Sequence, residues 1–138
     1  MLLRKTFLLA IIAFVTIFIK SVLTLEVGSA IANIDGPITA KFTWQTTAEE
    51  TTFTAVFENT ITKENVYEYT FVVVGPDGVI IDLTRKIQEG LITSSSISHY
   101  FQIFDNSEMS VGQVVNNYLQ VAHENYVIAR APIIGDAV

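Results

Sequence analysis

Two patterns of apolar residues divide this chain. The first is continuous: Phe7 to Ile19 carries no charge, with Arg4 and Lys5 before it and Lys20 after it. The second alternates with polar residues and dominates from Ile38 to Phe104. Ile38, Ala40, Phe42 and Trp44 fall on one face of an extended segment, and Thr39, Lys41, Thr43 and Gln45 on the other. A period of two with one apolar face predicts a half-buried strand. Phe53, Ala55 and Phe57 repeat the pattern against Thr52, Thr54 and Glu58. A third strand, Val66 to Val74, is predicted to carry Tyr67, Tyr69, Phe71 and Val73 inward, with its Val72–Val74 end covered on both sides.

Gly75-Pro76-Asp77-Gly78 is a strong turn signal. Proline presets φ at the first corner, aspartate suits the second, and Gly78 is free to take positive φ. It joins Val66–Val74 to a strand over Val79–Ile87 as a hairpin. Gly90 to Ser96 then reads as a connection and Ile97 to Phe104 as a strand, with Ile97, His99, Phe101 and Ile103 on its apolar side. Glu49-Glu50 suits a solvated turn between strands.

The period changes near the end of the chain. Val111, Val114, Val115, Tyr118, Leu119 and Ala122 form one helical stripe. Ser110 and Gln113 have the spacing of a capping box, and Asn125 suits the position after the last turn. These signals predict a helix over 111–123, the rival being two short strands because valine and asparagine are poor helix formers. Tyr126 to Ala131 reads as a last strand stopped by Pro132, and Leu25 to Asn33 as a first strand if the chain is cut before it. The expected fold is mainly β: an antiparallel β-sandwich of six or seven strands with one short helix in its C-terminal region.

The continuous run has the layout of an export signal, basic then apolar then more polar. At 1.5 Å per residue its helix would be about 20 Å long, against about 30 Å for a bilayer core. It spans only if extended through Lys20 to Leu25, with the ammonium snorkelling to an interface. Residues 1–24 are therefore expected to be a signal peptide or membrane anchor, and 25–138 a single β-rich exported domain. Val22-Leu23-Thr24 and Ala30-Ile31-Ala32 are two cleavage motifs. A prepilin-type leader has a similar basic-then-apolar order, but Thr6 stands where such leaders carry a small cleavage-site residue.

Charge narrows the list of partners. Residues 1–24 hold Arg4, Lys5 and Lys20 and no acid, so the remainder has 5 basic against 14 acidic residues, a charge near −9. That argues against nucleic acid, whose affinity comes from Lys and Arg on phosphates, and against anionic membrane faces. Membrane contact is expected only through an uncleaved N-terminal segment, and the partner class left is protein, through self-association or a surface partner. The chain has no cysteine, which removes disulfides, thiolate metal sites and cysteine nucleophiles. Its stability must come from apolar burial.

Catalytic patterns are sparse. No serine sits in G-x-S-x-G, and there is no G-x-G-x-x-G or P-loop. Only two histidines exist, His99 and His123. His99 reads as a core residue on an apolar strand face, and His123 as a residue complementing a helix C-terminus. A metal could recruit both with a carboxylate, and Asp105, Asn106, Ser107 and Glu108 form an oxygen-rich loop suited to calcium. Neither arrangement has the spacing of a dedicated site, so no cofactor is expected. Trp44, Tyr67 and Tyr69 continue inward strand faces and read as core.

Phe57-Glu58-Asn59-Thr60, the Tyr69–Val74 strand, Pro76-Asp77-Gly78, Glu89-Gly90-Leu91 with its Ser/Thr run, and Ile97–Phe104 follow one another in order. Over residues 50–104 this resembles the Ig-like β-sandwich modules of prokaryotic cell-surface proteins, including the cell-adhesion-related kind. The expected helix at 111–123 departs from that pattern. The resemblance implies binding or assembly and brings no catalytic residue. The leading expectation is thus an exported non-enzymatic module, of surface, adhesion or filament type. The alternatives are a carrier with an apolar pocket between sheet and helix, and a metal-dependent enzyme using His99 and His123.

Overall fold

The computed structural model describes residues 28–136. The basic and apolar leader, with Arg4, Lys5 and Lys20, and the first residues of the strand expected from Leu25, lie outside them. Among the described residues, ten strands form two antiparallel sheets. The first sheet has six: β10 (Ile134–Asp136), β1 (Gly28–Asp35), β2 (Thr39–Thr46), β3 (Glu50–Glu58), β7 (Ile97–Asp105) and β6 (Ile92–Ser94), in that spatial order. The second has four: β5 (Gly78–Asp82), β4 (Tyr69–Gly75), β8 (Tyr118–His123) and β9 (Tyr126–Pro132). Three of the ten, β6, β8 and β10, exceed the six or seven expected. β6 and β10 are three residues long, too short for periodicity to show.

The alternation of β2 and β3 builds the core as expected. Phe42, Trp44, Phe53, Ala55 and Phe57 are buried, opposed in register as Phe42↔Ala55 and Trp44↔Phe53. Phe71 from β4 meets them from the other sheet, its ring 5.3 Å from Phe57 and 6.4 Å from Phe42. Trp44 is buried as expected and donates its Nε1–H to Met109 Sδ at 3.3 Å.

The facing of β7 corrects the sequence reading. Ser98, Tyr100 and Phe104 point inward, while Ile97, His99, Phe101 and Ile103 are exposed. Register is the reason. β7 pairs with β3 as Ala55↔Tyr100 and Phe57↔Ser98, and directly opposed residues share a face. The inward set also contains Ser98 and Gln102, so it is the less apolar of the two in sequence, and pairing with β3 rather than periodicity selects the face. Tyr67 is a second correction: it lies in a 3₁₀ turn, Val66–Glu68, ahead of β4 and is largely exposed.

The Pro76-Asp77 hairpin forms as expected, closing β4 to β5 with Gly78 at φ +121°. The second strand is shorter than predicted. After Asp82 the chain turns into helix α1, Thr84–Gly90. Asp82 Oδ1 accepts the Thr84 N–H at 3.0 Å, and the Leu83 N–H goes to Phe71 O at 2.9 Å. Leu83, Ile87 and Leu91 are buried at helical spacing, a signal masked by the strand-like Val79–Leu83 before it.

The predicted helix at 111–123 is mostly strand. One turn, α2 (Val111–Val114), exists, with Gln113 Oε1 accepting the Ser110 N–H at 3.1 Å as the capping box requires. Val115 is then extended and Asn116 takes φ +67°, which ends the helix. Leu119 and Val121 are buried in β8, which pairs with β4 on one side and β9 on the other. Two ladders satisfy more backbone than an isolated Val/Asn-rich helix would, so tertiary pairing decides.

A polar chain seals the end of the core near α2. The Val111 N–H donates to Thr46 Oγ1 at 2.9 Å, and Thr51 Oγ1 donates to Asn106 Oδ1 at 2.7 Å. The Thr46–Thr51 hydroxyl contact of 2.8 Å must then run from Thr46 to Thr51. Both threonines are buried, and no buried side-chain polar atom among the described residues lacks a partner.

Two stability measurements follow from this packing. Phe71→Ala removes the ring that joins the sheets and should cost about 3–5 kcal/mol in urea unfolding read by Trp44 fluorescence. Thr46→Val keeps the volume but strands the Val111 N–H and the Thr51 acceptor. It should cost about 1–3 kcal/mol by the same measurement.

Candidate functional site

The inward set of each strand determines its outward set, because side chains alternate. Across β1, β2, β3 and β7 the outward residues line up in rows. One row is Ile31, Thr43, Thr54 and Phe101; the next is Ser29, Gln45, Thr52 and Ile103; a third is Asn33, Lys41, Val56 and His99. Lys41 is the single permanently charged residue in these three rows. Ile134 extends the first row through Ile31, and Ile92 extends the third through His99. The β7 side is apolar, with Phe101 59 %, Ile103 49 % and Ile97 46 % exposed.

Two shallow depressions mark this face. One, of about 280 Å³, involves Ile31, Thr43, Gln45, Thr52, Thr54 and Ile134. The other, of about 400 Å³, involves Asn33, Asp35, Thr39, Val56 and Glu58. Lys41 borders both. They lie on the outer surface of the sheet. Near α1, on the side facing the core, Leu83, Ile87 and Leu91 are buried in the common cluster.

The histidines are held apart by topology. His99 is on the outer face of the six-stranded sheet between Val56 and Ile92. His123 ends β8 of the other sheet, opposite Tyr69. The helix-end role expected for His123 does not apply, since no helix precedes it. Its ring instead stacks on Tyr69, centroids 4.4 Å apart and planes 14° from parallel. Its Nε2 lies 3.1 Å from Glu68 Oε1. Glu124, the next residue, donates its backbone N–H to Glu68 O at 2.9 Å. Burial, and then the negative charges of Glu68 and Glu124, push the Tyr69 phenol up. Among the described residues, the His/Asp/Glu group compact enough to hold an ion is Glu68, His123 and Glu124, with ligand atoms all within 4.8 Å. His99, Asp105 and Glu108 are not in it.

Asp105 and Glu108 bracket a turn that binds itself. Asp105 Oδ1 accepts the Ser107 N–H at 2.9 Å and the Ser107 hydroxyl at 2.8 Å. Asp105 O accepts the Glu108 N–H at 2.9 Å. The two bonds from Ser107, amide first and then hydroxyl, hold the exposed Asp105 carboxyl below its ordinary range.

The candidate surfaces were half visible in sequence. Thr39, Lys41 and Thr43 were legible as outward, but the β7 row was assigned inward and Glu68 and Glu124 were not linked to His123. Glu68 and His123 are 55 residues apart and meet only through the β4–β8 pairing. Among the described residues no helix is long and apolar enough to cross a membrane. No protein-family model, no curated protein and no solved structure matches this chain.

The Asp105 turn carries a pH signature. Its carboxylate is favoured in the folded state, so its stabilising contribution is complete above the ordinary Asp value of about 3.9. It is lost as pH falls through the lower folded value. The Ser107 amide resonance should therefore titrate with a midpoint below about 3.9 in NMR, and an unshifted midpoint would contradict the turn as described.

Proposed function

We propose that this chain is an exported, non-enzymatic assembly module whose working surface is the outer face of the six-stranded sheet, and that the occupant of that face is a second copy of the chain. The observation that carries the reading is the exposed pair Phe101 and Ile103 on β7, in two rows without a charge and beside a third whose single permanent charge is Lys41. The chain as a whole is acidic, with 14 Asp and Glu against 8 Lys and Arg. Interface cores are depleted in charge, and these three rows differ from the rest of the chain in that direction. Two acidic copies repel elsewhere but meet here with little desolvation of charge.

The face is also self-complementary in sign. Lys41 lies near its middle, and Asp35 and Glu58 lie in the row beyond it. A two-fold interface brings each patch onto its own image, so opposite charges at separate positions of one face pair across the axis. The threonine-rich rows suit sheet-on-sheet packing. Export rests on the leader, and the resemblance to Ig-like surface modules supports assembly as the task.

Sedimentation of the full chain over a concentration series tests this. The parent should associate, and Phe101→Glu should weaken association by about 30-fold or more, the factor that corresponds to losing a hot spot of about 2 kcal/mol. The unfolding free energy in urea, measured at a dilution where both proteins are monomeric, should stay within the change usual for a surface site, about 0.5 kcal/mol. The leader is present in both proteins, so association through it would survive the substitution and sink the proposal. A parent that stays monomeric would do the same.

A further inference from the structure

The hairpin between β8 and β9 lies in the other sheet from the assembly face. There the 3₁₀ turn and the hairpin bring one imidazole and two carboxylates together. We propose that Glu68, His123 and Glu124 form a binding site for a divalent transition cation, with zinc the ion the donor set suits best.

The donor chemistry is one neutral nitrogen and two anionic oxygens. Zinc accepts mixed nitrogen and carboxylate ligands in tetrahedral geometry, and a three-ligand site leaves a fourth position for water. Calcium prefers six to eight oxygens, which this group does not offer. The spacing also fits. Ligand atoms about 2.0–2.1 Å from a tetrahedral ion lie about 3.3 Å from one another. His123 Nε2 and Glu68 Oε1 are already 3.1 Å apart, and a Glu124 carboxylate oxygen lies within 4.8 Å of a ligand atom on each of the two residues. An ion bound here replaces the hydrogen bond that links His123 Nε2 to Glu68 Oε1.

The group is held in position before any ion arrives. The stack on the buried Tyr69 ring fixes the plane of His123. The backbone bond from Glu124 to Glu68 O ties the hairpin to the 3₁₀ turn, so both carboxylates start from one place. Glu124 has φ +50° and Asn125 φ +73°, both left-handed, which is the backbone of a tight two-residue hairpin turn. Glycine suits the Glu124 position better than glutamate does, so the carboxylate is not there for the turn's sake. Glu68 and Glu124 are exposed, so the site is open to solvent and loads and releases its ion without a lid.

Zinc chloride titrated into the full chain is the test, read by calorimetry and by the ring resonances of the two histidines. His99 serves as the internal control. The expected result is one saturable site, with the His123 signals shifting in step with occupancy and the His99 signals unmoved. Glu124→Gly removes the carboxylate while relieving the left-handed backbone, so it folds at least as well as the parent. It should bind zinc at least about tenfold more weakly, since loss of even an outer partner of a metal ligand costs about that much. Calcium at the same concentrations should leave His123 unshifted. Absence of saturable binding, equal movement of both histidines, or parent-like affinity in Glu124→Gly would overturn the proposal.

Discussion

The meeting of Phe71 with Phe42 and Phe57 is the contact on which the rest of the structure depends. It joins a ring from the four-stranded sheet to two rings from the six-stranded sheet, at 5.3 and 6.4 Å between centroids. A chain without cysteine has no covalent tie between its sheets. Burial of large apolar side chains must hold the layers together, at about 25 cal/mol for each Å² removed from water. The remaining core residues extend outward from this contact: Phe53 and Trp44 along the first sheet, Val73, Leu119 and Val121 along the second, and Leu83 and Ile87 from α1.

That contact also determines which surfaces are free. Once Phe53, Ala55 and Phe57 face Phe71, pairing with β3 turns Tyr100 and Phe104 inward on β7. Phe101 and Ile103 are left outside as a consequence. β7 turns its aromatic and polar set, Ser98, Tyr100, Gln102 and Phe104, inward, and its more apolar set is left over. The surplus becomes surface, and here it lies on the face that is poor in charge. The ladder between β4 and β8 acts in the same way on the other sheet, placing His123 beside Tyr69 and Glu68.

Legibility followed the range of the interaction. The Pro76-Asp77 turn was readable because its information lies within four residues, and the capping box of α2 because Ser110 and Gln113 are three apart. The inward faces of β2 and β3 were readable because polar residues mark the opposite side. The helix over 111–123 misled because Val111, Val114 and Leu119 satisfy a helical stripe, although Leu119 and Val121 equally satisfy a strand. Local propensity favours neither strongly, and two neighbouring ladders decided it. The α1 helix was missed for the converse reason, its period of Leu83, Ile87 and Leu91 following directly on a strand.

By itself, then, the order of residues determined the class of the fold, the turns, the core faces of strands with one polar side, and the dependence on apolar burial. These are properties of neighbours a few positions apart or of composition as a whole. The tertiary structure decided the facing of β7, the conversion of residues 118–123 to strand, and the gathering of Glu68, His123 and Glu124. Each of these depends on which strand lies alongside, β3 for β7 and β4 for β8, both distant in the chain. A strand with large side chains on both faces, or a histidine and a glutamate far apart in sequence, carries no mark of its partner until the register of a sheet supplies one.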